Sequence, residues 1–209
     1  MNKLNLVELL FGEDNFDYTK SDVKDFVVKL TDLKRTRLFI ENWHYSGSVN
    51  GLRISQIFGL FYQGNLIGAM IYGPLGMPNI WKKYAKAESK VIELKRLCCI
   101  DNTPKNTESY FIGKTLRWLK QNTDYDLVVS YADTFYGHSG VIYKASNFKH
   151  VGMTTKGKVI DYKGKFYHDK CIRTYYINKS GGKMLKPFAQ RVKDALECGE
   201  ARYIEMPEK

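Results

Sequence analysis

The sequence predicts an α/β chain whose mixed, mostly antiparallel central sheet is flanked by helices. Two apolar runs at 54–61 and 66–73 surround the turn-forming triplet Gln63-Gly64-Asn65, a pattern that indicates a β-hairpin. Further along, the spacing of apolar residues in 93–152 predicts, in order, a strand, a loop, an amphipathic helix, a strand, a short helix and a strand. Together the two segments predict one mixed sheet.

The chain before the hairpin is predicted to be helical. Residues 4–11 and 21–30 form two weakly helical segments around the acidic turn GEDNFD, the second supported by apolar residues at helical spacing. A basic helix, LKRTRLFIENW, begins at Leu33. The Gly/Ser/Asn-rich segment HYSGSVNG ends it at His44.

The chain after the central segment is predicted to close the fold. Residues 159–162 and 171–177 are expected to pair as strands around the turn at 163–165. Beyond a Ser-Gly-Gly breaker, residues 187–197 form an amphipathic helix with Pro187 near its start. The predicted organisation is an acidic helical extension (1–32), a catalytic domain (33–180) and a C-terminal amphipathic helix with a tail (181–209).

Composition and charge limit the function classes. A chain of 209 residues with 44% hydrophobic content can bury one full core. Residues 1–32 hold seven acidic side chains and four lysines, a net of −3, so a formal charge of +11 leaves +14 on the remainder. Such an excess suits a polyanionic partner. The four cysteines show no C-x-x-C pair, and no apolar run resembles a signal peptide or membrane span, which predicts an intracellular protein without a membrane partner.

Four segments carry a resemblance to a known family. They are RLCCID (96–101), PKNTES (104–109), SYAD (130–133) and GHSGVIYKASNF (137–148). The element order is similar to the acyl-CoA-binding core of the GNAT N-acetyltransferase superfamily. The amino-acid sequences of these four segments closely resemble those of the Mom proteins of bacteriophages, which are GNAT-like enzymes that modify adenine in DNA. The resemblance covers roughly residues 38–152.

The Mom resemblance implies a specific activity. The family adds a small acylamide-type group, described as carbamoylmethyl, to the N6 amine of adenine, which protects phage DNA from host restriction. Acetyl-CoA is the expected donor, although simple acetylation does not make that product, and iron is an implied second cofactor. The implied fold is a GNAT-like domain with the sheet splayed at the acyl-CoA site. The implied location is the cytoplasm of the infected bacterium.

The segment YKASNF has the spacing Y-x-x-x-G/N-F in which GNAT enzymes use a tyrosine as general acid, and Tyr143 occupies that position. The departing thiolate of CoA needs a weak acid that stays protonated near neutral pH, and a phenol with a pKa of about 10 meets this need. A core aromatic residue packed under the sheet is the alternative reading.

The other predicted catalytic residues surround the end of the second core strand. Asp133 can orient or deprotonate the attacking amine, or it can cap the helix that follows. Only one of Ser130 and Tyr131 can face the pocket with it. The resemblance adds His44, Tyr45 and Tyr72 to the catalytic set. For iron it implies His44, Asp133 and His138, ligand types that suit that metal.

The predicted cofactor-binding residues lie on the first core strand and at the following helix start. Strand alternation puts Leu94, Arg96 and Cys98 on one face, where Arg96 needs an anionic partner such as Asp133, Glu108 or a CoA phosphate. Helix N-termini bind anions, but Pro104 to Thr107 replaces the usual GNAT signature Q/R-x-x-G-x-G/A. With Tyr143, the predicted set is Arg96, Leu97, Cys98, Lys105, Asn106 and Ser109.

A DNA substrate imposes its own requirement, because N6 of adenine is engaged in base pairing and must be flipped out or reached in an unpaired strand. Backbone contacts are predicted for Lys34, Arg35, Arg37, Lys82, Lys83, Lys156, Lys158, Lys163, Lys165 and Lys170, and base stacking for Trp43, Tyr45 and Trp81. Two alternatives are a GNAT N-acetyltransferase for a protein or small amine and a non-catalytic DNA-binding relative.

Overall fold

The computed structural model of the chain describes residues 17–77, 79–154 and 158–205. These residues form ten β-strands and four α-helices, besides short 3-10 turns. They group into two compact units, residues 17–132 with 140–150 and residues 133–139 with 151–205. The predicted division at residues 32 and 180 stays a prediction, and the helix predicted over residues 4–11 lies outside the described residues.

The first unit is built on a five-stranded sheet in the order β1-β2-β3-β4-β5. Its first three pairs are antiparallel and β4 pairs with β5 in parallel, so the predicted mixed sheet is confirmed. The predicted hairpin turn is also confirmed, since Gln63 and Gly64 have φ of 49° and 89° as a two-residue hairpin loop requires. The strands are β1 Val27–Leu30, β2 Gln56–Tyr62, β3 Asn65–Gly73, β4 Val91–Cys99 and β5 Leu127–Ser130.

The helix predicted over residues 21–30 is wrong. Two 3-10 turns, Tyr18–Lys20 and Val23–Asp25, are followed by strand β1, which pairs with β2. Asp22 accepts a hydrogen bond from the N–H of Lys24 and so stabilises a single turn. The β-branched residues after Phe26 favour a strand, and the edge of β2 provides the ladder partner.

Helices cover both faces of the sheet. Helix α1, Leu33–Trp43, is capped by Asp32, which accepts from the N–H of Arg35 at 2.8 Å. It buries Phe39 and Ile40 against one face of the sheet, in a cluster that includes Ala69, Ile71 and Cys98. Helix α2, Thr107–Asn122, buries Phe111 and Ile112 in the other cluster, with Phe58, Tyr72 and Leu94. Helix α3 is short, Val141–Ala145.

Strand β4 contains a bulge and extends beyond its parallel partner. Consecutive residues Ile71 and Tyr72 of β3 pair with Arg96 and Leu94, so Lys95 is the extra residue. The β4–β5 ladder ends at Leu94 and Ser130, whereas β4 continues to Cys99. The two strands therefore stop pairing halfway along β4.

The second unit has its own sheet, in the order β10-β6-β7, packed against helix α4, Pro187–Cys198. The helix predicted over residues 187–197 is confirmed. The predicted pairing of residues 159–162 with 171–177 is wrong. Strand β6, Lys158–Tyr162, pairs with β7, Lys165–His168, and with the C-terminal β10, Ala201–Glu205. Strand β8, Tyr175–Ile177, pairs instead with β9, Lys183–Leu185.

One further segment differs from its prediction. The strand expected after the short helix does not form within residues 148–154, which belong to no strand. The polar segment before β4 forms two 3-10 turns, Ile80–Lys83 and Glu88–Lys90. Within the described parts of the chain, no helix combines the length and apolarity that crossing a membrane requires.

Candidate active site

Tyr143 is positioned by a short helix with a specific ending. The backbone carbonyl of Tyr143 accepts from the N–H of Phe148 at 2.9 Å, and the two rings pack 5.5 Å apart. Asn147, between them, has a φ of 62°, a left-handed conformation that Gly and Asn adopt most easily. This backbone requirement explains why the spacing Y-x-x-x-G/N-F demands Gly or Asn at that point.

The hydroxyl of Tyr143 lies near the end of the β4–β5 ladder, where Ser130 is the last paired residue of β5. The Ser130 hydroxyl donates to the carbonyl of Leu94 at 3.2 Å. Ser130 is close enough to Tyr143 to lower the pKa of the phenol, an effect that burial outweighs. Burial raises the pKa of Tyr143 above its ordinary value, so the phenol keeps its proton at neutral pH.

Tyr72 lies in the core instead of facing an open cleft. Its side chain is 0% exposed, and its hydroxyl is hydrogen-bonded to Thr115 Oγ1 at 2.8 Å. Burial raises its pKa, and the charge of a deprotonated Tyr143 nearby would raise it further. Tyr72 is therefore a buried core residue near Tyr143, and its catalytic role stays a prediction.

The β4 bulge corrects the predicted faces of the strand. Leu94, Leu97 and Cys99 pack on the α2 side, with Tyr143. Cys98 packs on the α1 side. Arg96 contacts the α1 side too, since its guanidinium donates to the carbonyl of Ser48 at 3.4 Å and to that of Lys95 at 2.7 Å. The prediction that Leu94, Arg96 and Cys98 share a face is wrong, because the extra residue reverses the alternation.

Backbone carbonyls, rather than the predicted anions, are the hydrogen-bond acceptors shown for Arg96. Burial lowers its pKa, while the nearby Tyr45 and Glu93 oppose that shift. Burial raises the pKa of Cys98 to about 12 and that of Cys99 well above its ordinary value. Both thiols therefore stay protonated, so neither suits a nucleophilic role.

A nearly buried ion pair on β4 was missed by the sequence reasoning. Lys95 Nζ lies 3.3 Å from Glu93 Oε1, and the two side chains are 6% and 12% exposed. The second oxygen of Glu93 accepts from the N–H of Gly76 at 2.6 Å, which ties the loop after β3 to β4. The carboxylate also lies close enough to raise the pKa of Tyr131, after burial as the main cause. Charged residues within the apolar run VIELKRL, Glu93 and Lys95 among them, were the available signal, because buried charges require partners.

His44 and Tyr45 lie at the end of α1. The His44 ring is 8% exposed, and its Nδ1 accepts from the N–H of Ser46 at 3.0 Å. Tyr45 stacks on it with ring centroids 4.2 Å apart, and 46% of Tyr45 is exposed. Nδ1 also lies 2.8 Å from the Ser46 hydroxyl, so that ring nitrogen is engaged within its own turn.

The predicted iron site does not fit the residues described. Metal-binding histidines that ligate through Nε2 donate from Nδ1, and Nδ1 of His44 is an acceptor. Over residues 17–77, 79–154 and 158–205, no three His, Cys, Asp or Glu side chains are grouped to hold a metal ion. No step is therefore derived through iron.

Asp133 and His138 belong to the second unit. The Asp133 carbonyl accepts from the N–H groups of Tyr136 at 3.1 Å and His138 at 3.2 Å, closing a tight turn. His138 is exposed. The N-cap of α3 is Gly140, in a left-handed conformation without a side-chain cap, so Asp133 does not cap α3. Asp133 directly precedes the 3-10 turn Thr134–Tyr136. The catalytic role of Asp133 stays a prediction.

The loop before α2 offers backbone donors and little side-chain charge. Asn106, the N-cap, has a φ of 71° and makes no side-chain cap, while Lys105 is exposed. The Ser109 hydroxyl donates to the carbonyl of Asn106 at 3.0 Å. Glu108 lies in the first turn, where it already complements the helix dipole. A phosphate bound there would meet this carboxylate, so the loop is a poorer anion site than its position suggests.

The predicted DNA contacts divide by exposure. Among the described members of the basic set, all except the partly buried Arg35 are exposed, and Lys156 lies outside the described residues. Trp43 is partly buried and packs on Phe39, with ring centroids 4.7 Å apart. Tyr45 is exposed and Trp81 is partly exposed, with Lys82 above its ring. The stacking role of these three aromatic residues stays a prediction.

The mixed sheet, the helix order and the tyrosine motif define a GNAT-like α/β fold. The chain belongs to the Mom protein family, whose model matches residues 25–209. A curated relative, the methylcarbamoylase Mom of Escherichia phage Mu, is 29% identical over 152 residues. The match covers 70% of this chain and 61% of the relative, so the chain spans less than two thirds of that protein's length.

The similarity to solved structures is more distant. An aminoglycoside acetyltransferase from an uncultured soil metagenomic sample, in complex with sisomicin, is 9% identical, with a TM-score of 0.46 over 63% of this chain and 93% of that one. The ribosomal-protein-alanine N-acetyltransferase of Brucella melitensis biovar Abortus 2308 is 13% identical, with a TM-score of 0.44 over 62% and 95%.

Proposed function

We propose that the chain is a DNA-modifying transferase that attaches a small acylamide-type group to the N6 amine of adenine, using an acyl-CoA donor, and so protects phage DNA from restriction in the host cytoplasm. Membership of the Mom family supports the DNA substrate. The observation that carries the transfer chemistry is the largely buried Tyr143 side chain, which lies beside Ser130 where β4 and β5 stop pairing.

Tyr143 acts as the general acid. Attack of the adenine amine on the thioester carbonyl forms a C–N bond, and the C–S bond then breaks. The departing sulfur takes its proton from the Tyr143 phenol, while the amine loses one to solvent or to a base. Ser130, whose hydroxyl donates to the Leu94 carbonyl at 3.2 Å, lies beside the phenol at the end of the β4–β5 ladder. This step accounts for acyl transfer; completing the acylamide-type group requires a further reaction.

The β5-facing edge of β4 is the proposed place for the donor. From Lys95 to Cys99, β4 has no partner in β5, so its backbone groups on that side can pair with the amides of a pantetheine arm. Leu97 and Cys99 face the same side as Tyr143. Arg96 and Cys98 point away, so their contribution to the donor is through the backbone.

The opposite face of the same strand is the proposed acceptor side. It carries the Glu93–Lys95 pair and Arg96, with Tyr131 and Tyr45 close to these charges. Exposed Tyr45 provides a ring on which an unpaired base can stack. Arg96 and the tyrosine hydroxyls provide hydrogen-bond donors for the ring nitrogens of adenine.

The test is modification of plasmid DNA in a bacterial host. The chain is expressed beside a plasmid, which is digested to nucleosides and compared by high-resolution mass spectrometry with empty-vector and Tyr143→Phe cultures. The expected result is a new adenine-derived mass that appears only with the unaltered chain. An unchanged nucleoside profile with soluble protein present would reject DNA as the substrate and leave acetyl transfer to another amine as the reading to test.

A further inference from the structure

The second unit contains a two-stranded ribbon whose side chains are largely exposed. Strand β8, Tyr175–Ile177, pairs with β9, Lys183–Leu185, in a separate sheet. Tyr175, Tyr176, Ile177 and Met184 are 43%, 44%, 67% and 47% exposed. Successive residues of a strand point to opposite faces, so apolar side chains are exposed on both sides of this ribbon. An isolated hairpin is at best marginally stable in water, which suggests that a partner covers it.

The ribbon is nevertheless held in one conformation. Asn178 Oδ1 accepts from the N–H groups of Ser180 at 3.1 Å and Gly182 at 2.7 Å. Its own N–H donates to the Gly182 carbonyl at 2.9 Å, and Gly181 adopts a φ of 79°. At the base, the N–H of Lys186 donates to the carbonyl of Thr174 at 2.8 Å. The turn is thus fixed before any partner binds, which lowers the entropy cost of binding.

The charge around the ribbon selects the partner. From residue 170 to residue 193 the sequence has no acidic residue and seven basic ones: Lys170, Arg173, Lys179, Lys183, Lys186, Arg191 and Lys193. Lys179, Lys183 and Lys186 lie on the ribbon and are exposed. Over the described part of the chain, no carboxylate forms a salt bridge with any of these three. Lys183 Nζ lies 4.5 Å above the Tyr175 ring, so cationic and apolar groups share one face.

We propose that this ribbon, residues 174–186, binds duplex DNA by entering the major groove, with its three lysines on the phosphates and its apolar side chains against the base edges. The major groove is wide enough for a two-stranded β-ribbon, and thymine methyl groups there contact apolar side chains. The lysines and apolar residues are the combination that such a groove requires. The inference rests on the proposed function for the identity of the partner, and it adds the element that holds the duplex.

The test measures binding of the full chain to a fluorescent 24-base-pair duplex, a length of about two helical turns. Binding is measured without acyl donor and at several salt concentrations. The ribbon variant is Lys179→Gln/Lys183→Gln/Lys186→Gln. The control is Lys20→Gln/Lys24→Gln/Lys120→Gln, which removes the same charge from exposed positions of the other unit. A third variant, Ile177→Ser/Met184→Ser, removes apolar contacts and no charge. Thermal unfolding checks that each variant folds.

The ribbon variant is expected to weaken duplex binding on the order of 10²-fold near 0.1 M salt and to reduce the salt slope by about 3, since each phosphate contact contributes about 0.9. The control is expected to keep the original slope. The Ile177/Met184 variant should keep the slope and bind more weakly. Equal losses in ribbon and control variants, or no loss in the ribbon variant, would overturn the inference. Tighter binding of single strands, or binding to anionic vesicles in place of DNA, would also overturn it.

The plasmid assay separates this inference from the proposed function. A ribbon variant that modifies plasmid DNA as the unaltered chain does would overturn the ribbon and leave the proposed function intact. Conversely, an unaltered chain that binds the duplex through the ribbon but leaves every nucleoside unchanged would support the ribbon and overturn the proposed function.

Discussion

At the residue scale, Tyr143 combines a motif readable in the sequence with an environment that only the fold supplies. Phenylalanine keeps the ring packed on Phe148 and removes the proton donor. Tyr143→Phe is therefore expected to lower the transfer rate by about 10² to 10⁴, the usual contribution of a general acid. Loss of the hydroxyl itself should cost stability only about 1 kcal/mol. The measurement is modified nucleoside per protein, with the exposed Tyr203→Phe as the matched control.

The pH profile tests whether Tyr143 keeps its proton near neutral pH. Because burial raises the pKa of Tyr143, its acid form is complete at neutral pH and is lost only as pH rises through that raised value. The rate is thus expected not to fall on account of this group between about pH 7 and about pH 9. Full activity in the Phe variant would show that Tyr143 only packs.

The cysteines give a second test at this scale. Raising the pKa of Cys98 from 9.0 to about 12 lowers its thiolate fraction about 10³-fold near neutral pH. Cys198, in contrast, is exposed. Iodoacetamide is expected to label Cys198 in the native protein and to reach Cys98 and Cys99 only in denaturant, as read by peptide mass spectrometry. Native labelling of Cys98 as fast as that of Cys198 would contradict its packing against α1.

At the scale of elements, the sequence predicted those whose signals are local. Helix α1, the β2–β3 hairpin and helix α4 follow from period, caps and turn residues, and all three are confirmed. The strand at 27–30 and the partners of β6 depend on which edges are open in three dimensions, and these predictions are wrong. The Y-x-x-x-G/N-F motif identified Tyr143, but the bulge at Lys95, which decides what β4 presents on each face, has no signature in one sequence.

The Glu93–Lys95 pair fixes β4 where its register shifts. Glu93→Gln leaves the Lys95 ammonium nearly buried without its carboxylate, which is expected to cost about 3 kcal/mol of unfolding free energy. Combining it with Lys95→Met should cost less than the sum of the two single changes, by about 1 to 3 kcal/mol. Urea unfolding measures each value.

The exposed pair Arg202–Asp161 is the control for this cycle. Its atoms lie 3.4 Å apart and the Arg202 side chain is 77% exposed. Asp161→Asn should therefore cost less than about 1 kcal/mol. Additive effects of the Glu93 and Lys95 changes would show that the two charges do not interact in solution.

At the scale of the whole molecule, the first 32 residues differ from the remainder in net charge, but their described part shares its hydrophobic core. The negative charge of the first 32 residues sets them apart from the basic remainder and suggested a separate extension. The described part of that segment contributes side chains to the core of the first unit. Tyr18 and Phe26 are 4% and 3% exposed in the same core cluster as Tyr72. The family match, which begins at residue 25, also includes strand β1.

Phe26 tests whether this segment belongs to the folded unit. Its ring meets Tyr62 edge-on at 5.5 Å, and its carbonyl accepts from the Tyr110 hydroxyl at 3.2 Å, which connects β1 to helix α2. Phe26→Ala removes the ring from a filled site, so it should lower the unfolding free energy by about 3 to 5 kcal/mol. The adjacent Val27→Ala, at a position that is 56% exposed, should change it by less than about 0.5 kcal/mol. Urea unfolding followed by tryptophan fluorescence measures both.

If the two variants unfold alike, residues 17–32 form an appendage and the boundary at residue 32 stands. If only Phe26→Ala is destabilised, the acidic segment is part of the core that supports Tyr143, and any truncated form must begin before it.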